Sequence, residues 1–306
     1  MRKLLLFSLL NLYLFANIFG QERSFQIYNE DGKKVSYKIM SKSAVKADVV
    51  FFGENHNDPI SHWLQLELTK SLFEKHAENL MLGAEMLESD DQIKLDEYLL
   101  GFIREKDFEK EAKIWVNHKT DYRPLLSFAK ENKIHFVATN IPRRFASMVY
   151  RFGIDTLEYL PPSSKQFIAP LPIDYDTSLH CYKEISVMAE GHGGENLPKS
   201  QAIKDATMAY FIHKNMKENT KFLHYNGSYH SRFHESIMWY LLQLNSDLDI
   251  LTIEVVEQSD ITEFDKELIG NADYFIVIYG SAIYFHLCPI GLHRISVYFY
   301  FWWLFG

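Results

Sequence analysis

Six short apolar runs, separated by stretches of helical periodicity, constrain the fold of this chain more than any other feature. The runs lie at residues 48–53, 80–86, 134–139, 222–225, 250–256 and 274–279. Continuous apolar runs of this length are typical of strands that are buried on both faces of a parallel sheet. Leu64, Leu68 and Leu72 recur at helical spacing between the first two runs. The alternation predicts an α/β fold with a largely parallel sheet flanked by helices.

The middle of the chain departs from this alternation. Residues 145–195 contain Pro161-Pro162, Pro170 and Pro172, followed by three glycines close together. Prolines and glycines at this density interrupt strands, so this stretch is predicted to be an insertion of helices and loops. We therefore expect a single α/β domain over residues 21–280, with the insertion at about 145–195.

The two ends of the chain differ from the predicted domain. Residues 1–20 begin with three residues that include Arg2 and Lys3 and continue as an apolar run, which is the layout of a secretory signal. An uncleaved N-terminal anchor is the alternative, and either one predicts export. A lipid anchor is not supported, because Asn17 stands where a lipoprotein signal needs cysteine. Residues 281–306 form a hydrophobic tail that is an interfacial anchor, a segment packed on the body, or a reading-frame artefact.

The charge balance excludes one class of function. The formal net charge is −8, and neither a basic tail nor a basic run is present, so a nucleic-acid binder is not expected. A local basic pocket for an anionic ligand remains compatible with this balance. Two cysteines are too few for a disulfide framework.

Charged side chains follow three of the predicted strands. Glu54 and His56 follow the first strand, Glu85 ends the second, and His230 follows a later strand, with both histidines in a Gly-x-x-His turn. Carboxyl ends of parallel strands share one edge of a sheet, so these four side chains are expected to meet in one crevice. Such a set suits a divalent transition metal or general acid/base chemistry. Polar scaffolding is the competing interpretation.

The insertion and its flanks offer a second group of side chains. Tyrosine phenolate is a ligand of ferric haem, and histidine or arginine can pair with haem propionates. The chain has 18 tyrosines, so simple packing is the alternative for each of them. The residues in question are Tyr150, Tyr159, Tyr175, Tyr182, His180, His192 and Arg144.

Several of these segments, taken in order, resemble the ChaN-like haem-binding lipoprotein family. That family lies in a wider superfamily with the Tiki proteases and the erythromycin esterases. The resemblance runs from about Val49 to Val256. Its segments are Gly53 to His56, Glu85, Ala138 to Arg144, Ala169 to Ile173 with Tyr175, Gln201 to Ala209, and Asn226 to His230.

The resemblance implies a function in haem or iron acquisition. It implies an exported protein, periplasmic or associated with the outer membrane, that holds haem through a tyrosine, between the two subunits of a homodimer. Tyr150 is our first choice as the iron ligand, because it shares a helix face with Ala146, and His180 and His192 are expected at the propionates. An outer-membrane haem receptor and peripheral membrane association are further expectations. The alternative is a hydrolase that uses the crevice, with or without a divalent metal.

Overall fold

The computed structural model describes residues 23–189 and 194–280, which form a mixed sheet of eight strands between helices. The strand order is β2-β1-β8-β7-β3-β6-β4-β5. The strands are β1 (Phe25–Asn29), β2 (Lys34–Val35), β3 (Val49–Glu54), β4 (Leu80–Glu88), β5 (His135–Asn140), β6 (Lys221–Gly227), β7 (Ile250–Gln258) and β8 (Tyr274–Tyr279).

The six predicted strands are confirmed as β3 to β8, and each of their pairings with one another is parallel. β3 and β4 are buried along their whole length, as their largely apolar runs indicate. The sequence prediction missed β1 and β2, which form an antiparallel pair at the edge next to β8. β2 has only two residues, which is too short for a period to be recognised.

Helices cover both faces of the sheet. They are α1 (Tyr37–Ala44), α2 (Pro59–His76), α3 (Gln92–Leu99), α4 (Glu105–Glu111), α5 (Arg123–Asn132), α6 (Arg143–Phe152), α7 (Pro162–Lys165), α8 (His180–Ala189), α9 (Leu197–Asn215) and α10 (Ile237–Leu244). A π-helical turn, His118–Tyr122, precedes α5. The periodic residues Leu64, Leu68 and Leu72 are buried in α2, as predicted. None of the described helices is long and apolar enough to cross a bilayer.

The segment between β5 and β6 contains α6 to α9, and its described part adds no strand to the sheet. α6 buries Phe145, Ala146 and Val149 on one side, while Arg143 and Arg144 are exposed. The Ser200 hydroxyl of α9 donates to the backbone oxygen of Ala146 at 2.9 Å, which holds the two helices together. α6 therefore lies against α9, which itself packs on the sheet next to β5.

Several sequence predictions lie outside the described residues. These are the signal segment at residues 1–20 with Asn17, the hydrophobic tail at residues 281–306, and His192. They stay predictions.

The strand order determines where a site can form. β3 lies in the centre of the sheet, with β6 on one side and β7 on the other. The strands β4, β5 and β6 all lie on one side of β3, and the chain then crosses to the other side to form β7 and β8. Parallel α/β sheets bind ligands at the carboxyl edge beside such a reversal. The carboxyl ends of β3, β6 and β4 are neighbours at that edge.

Candidate functional site

The carboxyl ends of β3, β6 and β4 bring together the four side chains predicted for the crevice. Glu54 ends β3 and pairs in register with Gly227, the last residue of β6. Glu85 lies in β4, one residue beyond the pairing of Ala84 with β6. His230 lies in the 3-10 turn that follows β6.

Glu54 is fully buried, and side chains from α2 and from the π-helical turn bind both of its oxygens. Oε1 accepts a hydrogen bond from the Tyr122 hydroxyl at 2.6 Å and lies 2.8 Å from Nδ1 of His56. The Gln65 amide donates to Oε2, and Nδ1 of His62 lies 3.6 Å from the same oxygen. A buried carboxyl group needs such hydrogen-bond partners to offset the cost of leaving water.

The His56 ring lies against Gly227, the last residue of β6. A Cβ on Gly227 would lie 2.8 Å from Nε2 of His56, so only glycine leaves room for the ring. The Trp115 indole packs against the ring in a T-shaped arrangement, with the centroids 5.0 Å apart. The backbone oxygen of His56 accepts a hydrogen bond from the Asn117 amide at 2.8 Å. The ring is thus held between Glu54 and the strand end that binds Glu85.

A second chain of contacts starts at Glu85. Its Oε2 accepts a hydrogen bond from the backbone N–H of Gly227 at 2.8 Å, and its Oε1 lies 3.3 Å from Nε2 of His230. The other ring nitrogen of His230 lies 2.5 Å from Oδ1 of Asp205, a residue of α9. Asp205 accepts a further hydrogen bond from the Tyr182 hydroxyl of α8 at 2.9 Å. The insertion is therefore linked to the crevice through buried polar groups.

The position between two carboxylates controls the charge of His230. Burial acts to lower the pKa of His230, but Glu85 and Asp205 outweigh it and raise the pKa to about 10. Burial acts to raise the pKa of Glu85. The positive charge of His230 has the largest opposite effect, and His56 and the hydrogen bond from the Gly227 N–H add to it, so the pKa of Glu85 is lowered overall. Burial raises the pKa of Asp205, which His230 and Tyr182 offset only in part. His230 is consequently a cation at neutral pH.

The contacts of His230 do not favour the acid/base alternative. Both of its ring nitrogens are bound to buried carboxylates, Nε2 to Glu85 and Nδ1 to Asp205, so neither nitrogen is left to exchange a proton with a substrate. Within residues 23–189 and 194–280, no group of three or more histidine, cysteine or acidic side chains could hold a metal ion, so the divalent-metal alternative has no support. The arrangement is a satisfied ionic network, which agrees better with polar scaffolding.

Three members of the crevice were not singled out from the sequence. Asp205 lies in the segment Gln201 to Ala209 that carried part of the family resemblance, and a buried acid in a helix was a usable signal. Gln65 and Tyr122 carried no such signal, because their roles depend on how α2 and the π-helical turn pack against β3.

Three side chains predicted for haem lie on α8 or just before it. Tyr182 is buried, and its hydroxyl donates a hydrogen bond to Asp205. Tyr175 packs against it with ring centroids 5.5 Å apart. His180 is exposed at the start of α8, with Nδ1 3.5 Å from Oε1 of Glu235.

The other three described side chains lie on α6 or just after it. Tyr150 is partly buried near the carboxyl end of α6. Tyr159 is 88% exposed at the end of the following 3-10 helix. Arg144 forms an ion pair with Asp90 at 2.5 Å and stacks on Phe145. The structure thus separates the predicted residues into one group on α6 and another on α8.

Residues 40–241 match the family model described as haem-binding uptake, Tiki superfamily, ChaN. This range is well over half of the chain and contains the whole crevice, α6 and the insertion. The chain belongs to this family. The family resemblance predicted from the sequence motifs is therefore confirmed.

A solved structure of another ChaN family member has the same fold. ChaN of Campylobacter jejuni, solved in a study of its cofacial haem binding, is 20% identical, with a TM-score of 0.64 over 85% of this chain and 98% of that one. A mutant erythromycin esterase in its open conformation is 11% identical, with a TM-score of 0.47 over 77% of each chain. The α/β fold predicted for this chain is consistent with the ChaN structure.

A plant protein also matches part of the chain. Protein RETICULATA-RELATED 5, chloroplastic, of Arabidopsis thaliana is 24% identical over 210 residues, which is 64% of this chain. The chain spans only 28% of the length of that curated relative.

The ionic network of this ChaN family member predicts a loss of stability at alkaline pH. The pKa of His230 is about 10 in the folded chain, against an ordinary value of 6.5. The folded state therefore binds the proton more tightly, and this contribution is complete below about pH 6.5 and lost as the pH rises through 10. Urea unfolding at pH 7, 8, 9 and 10 should show a falling free energy of unfolding.

His230→Gln is the control for this pH dependence. It keeps a hydrogen-bonding side chain but cannot be charged, so its free energy of unfolding should fall less over the same range. Parallel curves for the two proteins would show that His230 is not the group responsible.

Proposed function

We propose that this protein binds ferric haem for uptake or transfer, with Tyr150 as the iron ligand. The observation that carries the proposal is the match of residues 40–241 to a haem-binding family. The cofacial haem named for ChaN of Campylobacter jejuni adds support, because that protein shares the fold. The phenolate supplies a hard, anionic oxygen that suits ferric iron.

The surroundings of the four tyrosines support Tyr150. Burial raises the pKa of Tyr182 and of Tyr175, which opposes the phenolate form that iron needs. Tyr159 is almost wholly exposed, so little protein surrounds its hydroxyl. Tyr150 is partly buried beside α9, where protein can cover one side of a flat apolar ligand. His180 is exposed at the start of α8 and remains our proposal for a propionate partner, with His192.

We further propose that the haem-loaded protein is a homodimer. Two flat apolar faces that stack on each other avoid water, and each subunit then covers part of the other's ligand. The basic and apolar start of the chain supports export to the periplasm or the outer-membrane surface, where a haem receptor would be the partner.

Titration of the purified protein with hemin tests the function. Absorbance and electron paramagnetic resonance spectra should develop the pattern of high-spin ferric tyrosinate and saturate at one hemin per chain. Sedimentation velocity on the same samples should show dimers that accumulate with loading. Absence of any spectral change would refute haem binding, and a loaded protein that stays monomeric would refute the homodimer alone.

A further inference from the structure

Helix α1 carries a row of lysines on its outer side. Lys34, Lys38, Lys42 and Lys46 are spaced four residues apart, and all four are exposed. Residues that are four apart lie on one face of a helix, so Lys38 and Lys42 of α1 share a face, with Lys34 before the helix and Lys46 just after it. These four residues are called the lysine face below.

Contacts on the inner side of α1 fix the direction of the lysine face. Met40 of α1 is buried in the core. The Tyr37 hydroxyl lies 2.9 Å from Oγ of Ser71 on α2, and Oγ of Ser43 lies 2.8 Å from the hydroxyl of Tyr274 in β8. Because both ends of α1 are bound to the body of the protein, the lysine face remains directed outward.

The positive charge of the lysine face is not balanced locally. Residues 32–47 contain five lysines and no aspartate or glutamate, although the whole chain has a formal net charge of −8. Neighbouring acids bind other lysines, because Asp31 pairs with Lys33 at 2.9 Å and Glu67 of α2 pairs with Lys70 at 2.7 Å. Within residues 23–189 and 194–280, no lysine of the face forms an ion pair. Such a row of ammonium groups is complementary to an extended anionic surface.

An exposed apolar side chain beside the lysines favours a lipid surface. Ile39 follows Lys38 in α1 and is 49% exposed. A basic helix that also exposes an apolar group can rest in the interface of a membrane, where its lysines meet lipid phosphates and the apolar group enters the acyl boundary. A nucleic acid offers no such apolar layer, and the net charge of −8 opposes its approach.

We propose that the lysine face of α1 binds the anionic headgroups of a phospholipid membrane, with Ile39 in the interface. The signal or anchor predicted for residues 1–20 supports this, because either one brings the chain to a membrane. α1 packs on one face of the sheet and α9 on the other. Contact with lipid through α1 therefore leaves the side of α9 and α6, with Tyr150, free of the membrane. The lysine face does not depend on the proposed haem binding.

Cosedimentation of the full chain with vesicles tests the lysine face. The probes are vesicles of phosphatidylcholine alone and vesicles that also contain anionic phosphatidylglycerol. Any lipid affinity of the apolar chain ends is common to both, so the difference between them reports the charge. We expect the double variant Lys38→Gln, Lys42→Gln to bind the anionic vesicles about 25-fold more weakly, because each lysine next to such a surface contributes about fivefold. High salt should have the same effect on the wild type.

The double variant Lys106→Gln, Lys110→Gln is the matched control. These two lysines are also exposed and four residues apart, but their helix, α4, contains four acids. Their loss should change vesicle binding less than twofold. Equal weakening in the two double variants, or equal binding of the wild type to both kinds of vesicle, would overturn the proposal. A labelled DNA duplex that binds the wild type as tightly as the anionic vesicles, and is lost in the α1 variant, would assign the lysine face to nucleic acid instead.

Discussion

Replacement of Tyr150 by phenylalanine is expected to remove the ferric tyrosinate spectrum and to lower hemin affinity at least a hundredfold. The change deletes one oxygen and leaves the ring, so packing of α6 against α9 should be preserved. The loss is large because the phenolate is the bond to iron in the proposed site, and apolar contact of the ring with the protein is all that remains. Spectra and dissociation constants from hemin titration measure both effects.

Tyr159→Phe is the matched control for this variant. Tyr159 lies nine residues later and is almost wholly exposed, so its hydroxyl should be dispensable. A tyrosinate spectrum that survives Tyr150→Phe and disappears in Tyr159→Phe would move the ligand to the end of the 3-10 helix. Survival in both variants would remove α6 from the site.

His230→Ala should be the most destabilising single substitution in the crevice, by about 3–5 kcal/mol in the free energy of unfolding. The change removes the cation between Glu85 and Asp205, and leaves two buried carboxylates that face each other without their shared partner. Urea unfolding at pH 7 measures the loss. Addition of Asp205→Asn should restore part of the stability, because it removes one of the two uncompensated charges.

His135→Ala controls for the loss of a histidine as such. His135 is exposed at the start of β5, and its only close partner in the described chain is Asn215 at 3.5 Å. Its replacement should change stability by less than about 0.5 kcal/mol. A small effect of His230→Ala, comparable with that control, would mean that the ionic network is not formed in solution.

The strands β3 to β8 were predictable because each contains a short, largely apolar run that the sheet buries. The run Val49 to Phe52 is β-branched and aromatic and is too short for a buried helix, so it favours a strand, and the same holds for the run of β8. The hairpin of β1 and β2 could not be predicted in this way. Its two-residue second strand is defined by pairing with β1, and that pairing is a tertiary contact.

The convergence of Glu54, His56, Glu85 and His230 was predictable for a related reason. Parallel strands place their carboxyl ends at one edge, so residues that follow different strands become neighbours whatever their distance in sequence. Their chemical state was not predictable. It depends on Asp205, which turns His230 into a bound cation, and on Tyr122, which binds Glu54 from 68 residues away.

The sequence by itself determined the class of fold, the edge of the sheet where charged groups gather and the family of the protein, because local periodicity and motif order are properties of the chain. Only the tertiary structure decided that α9 inserts an acid next to His230 and that Tyr182 is buried against it. Those contacts depend on the rotation of each helix about its axis and on its axial position relative to the neighbouring helix. Many sequences with the same apolar stripe can pack in different registers, and side-chain packing selects one of them.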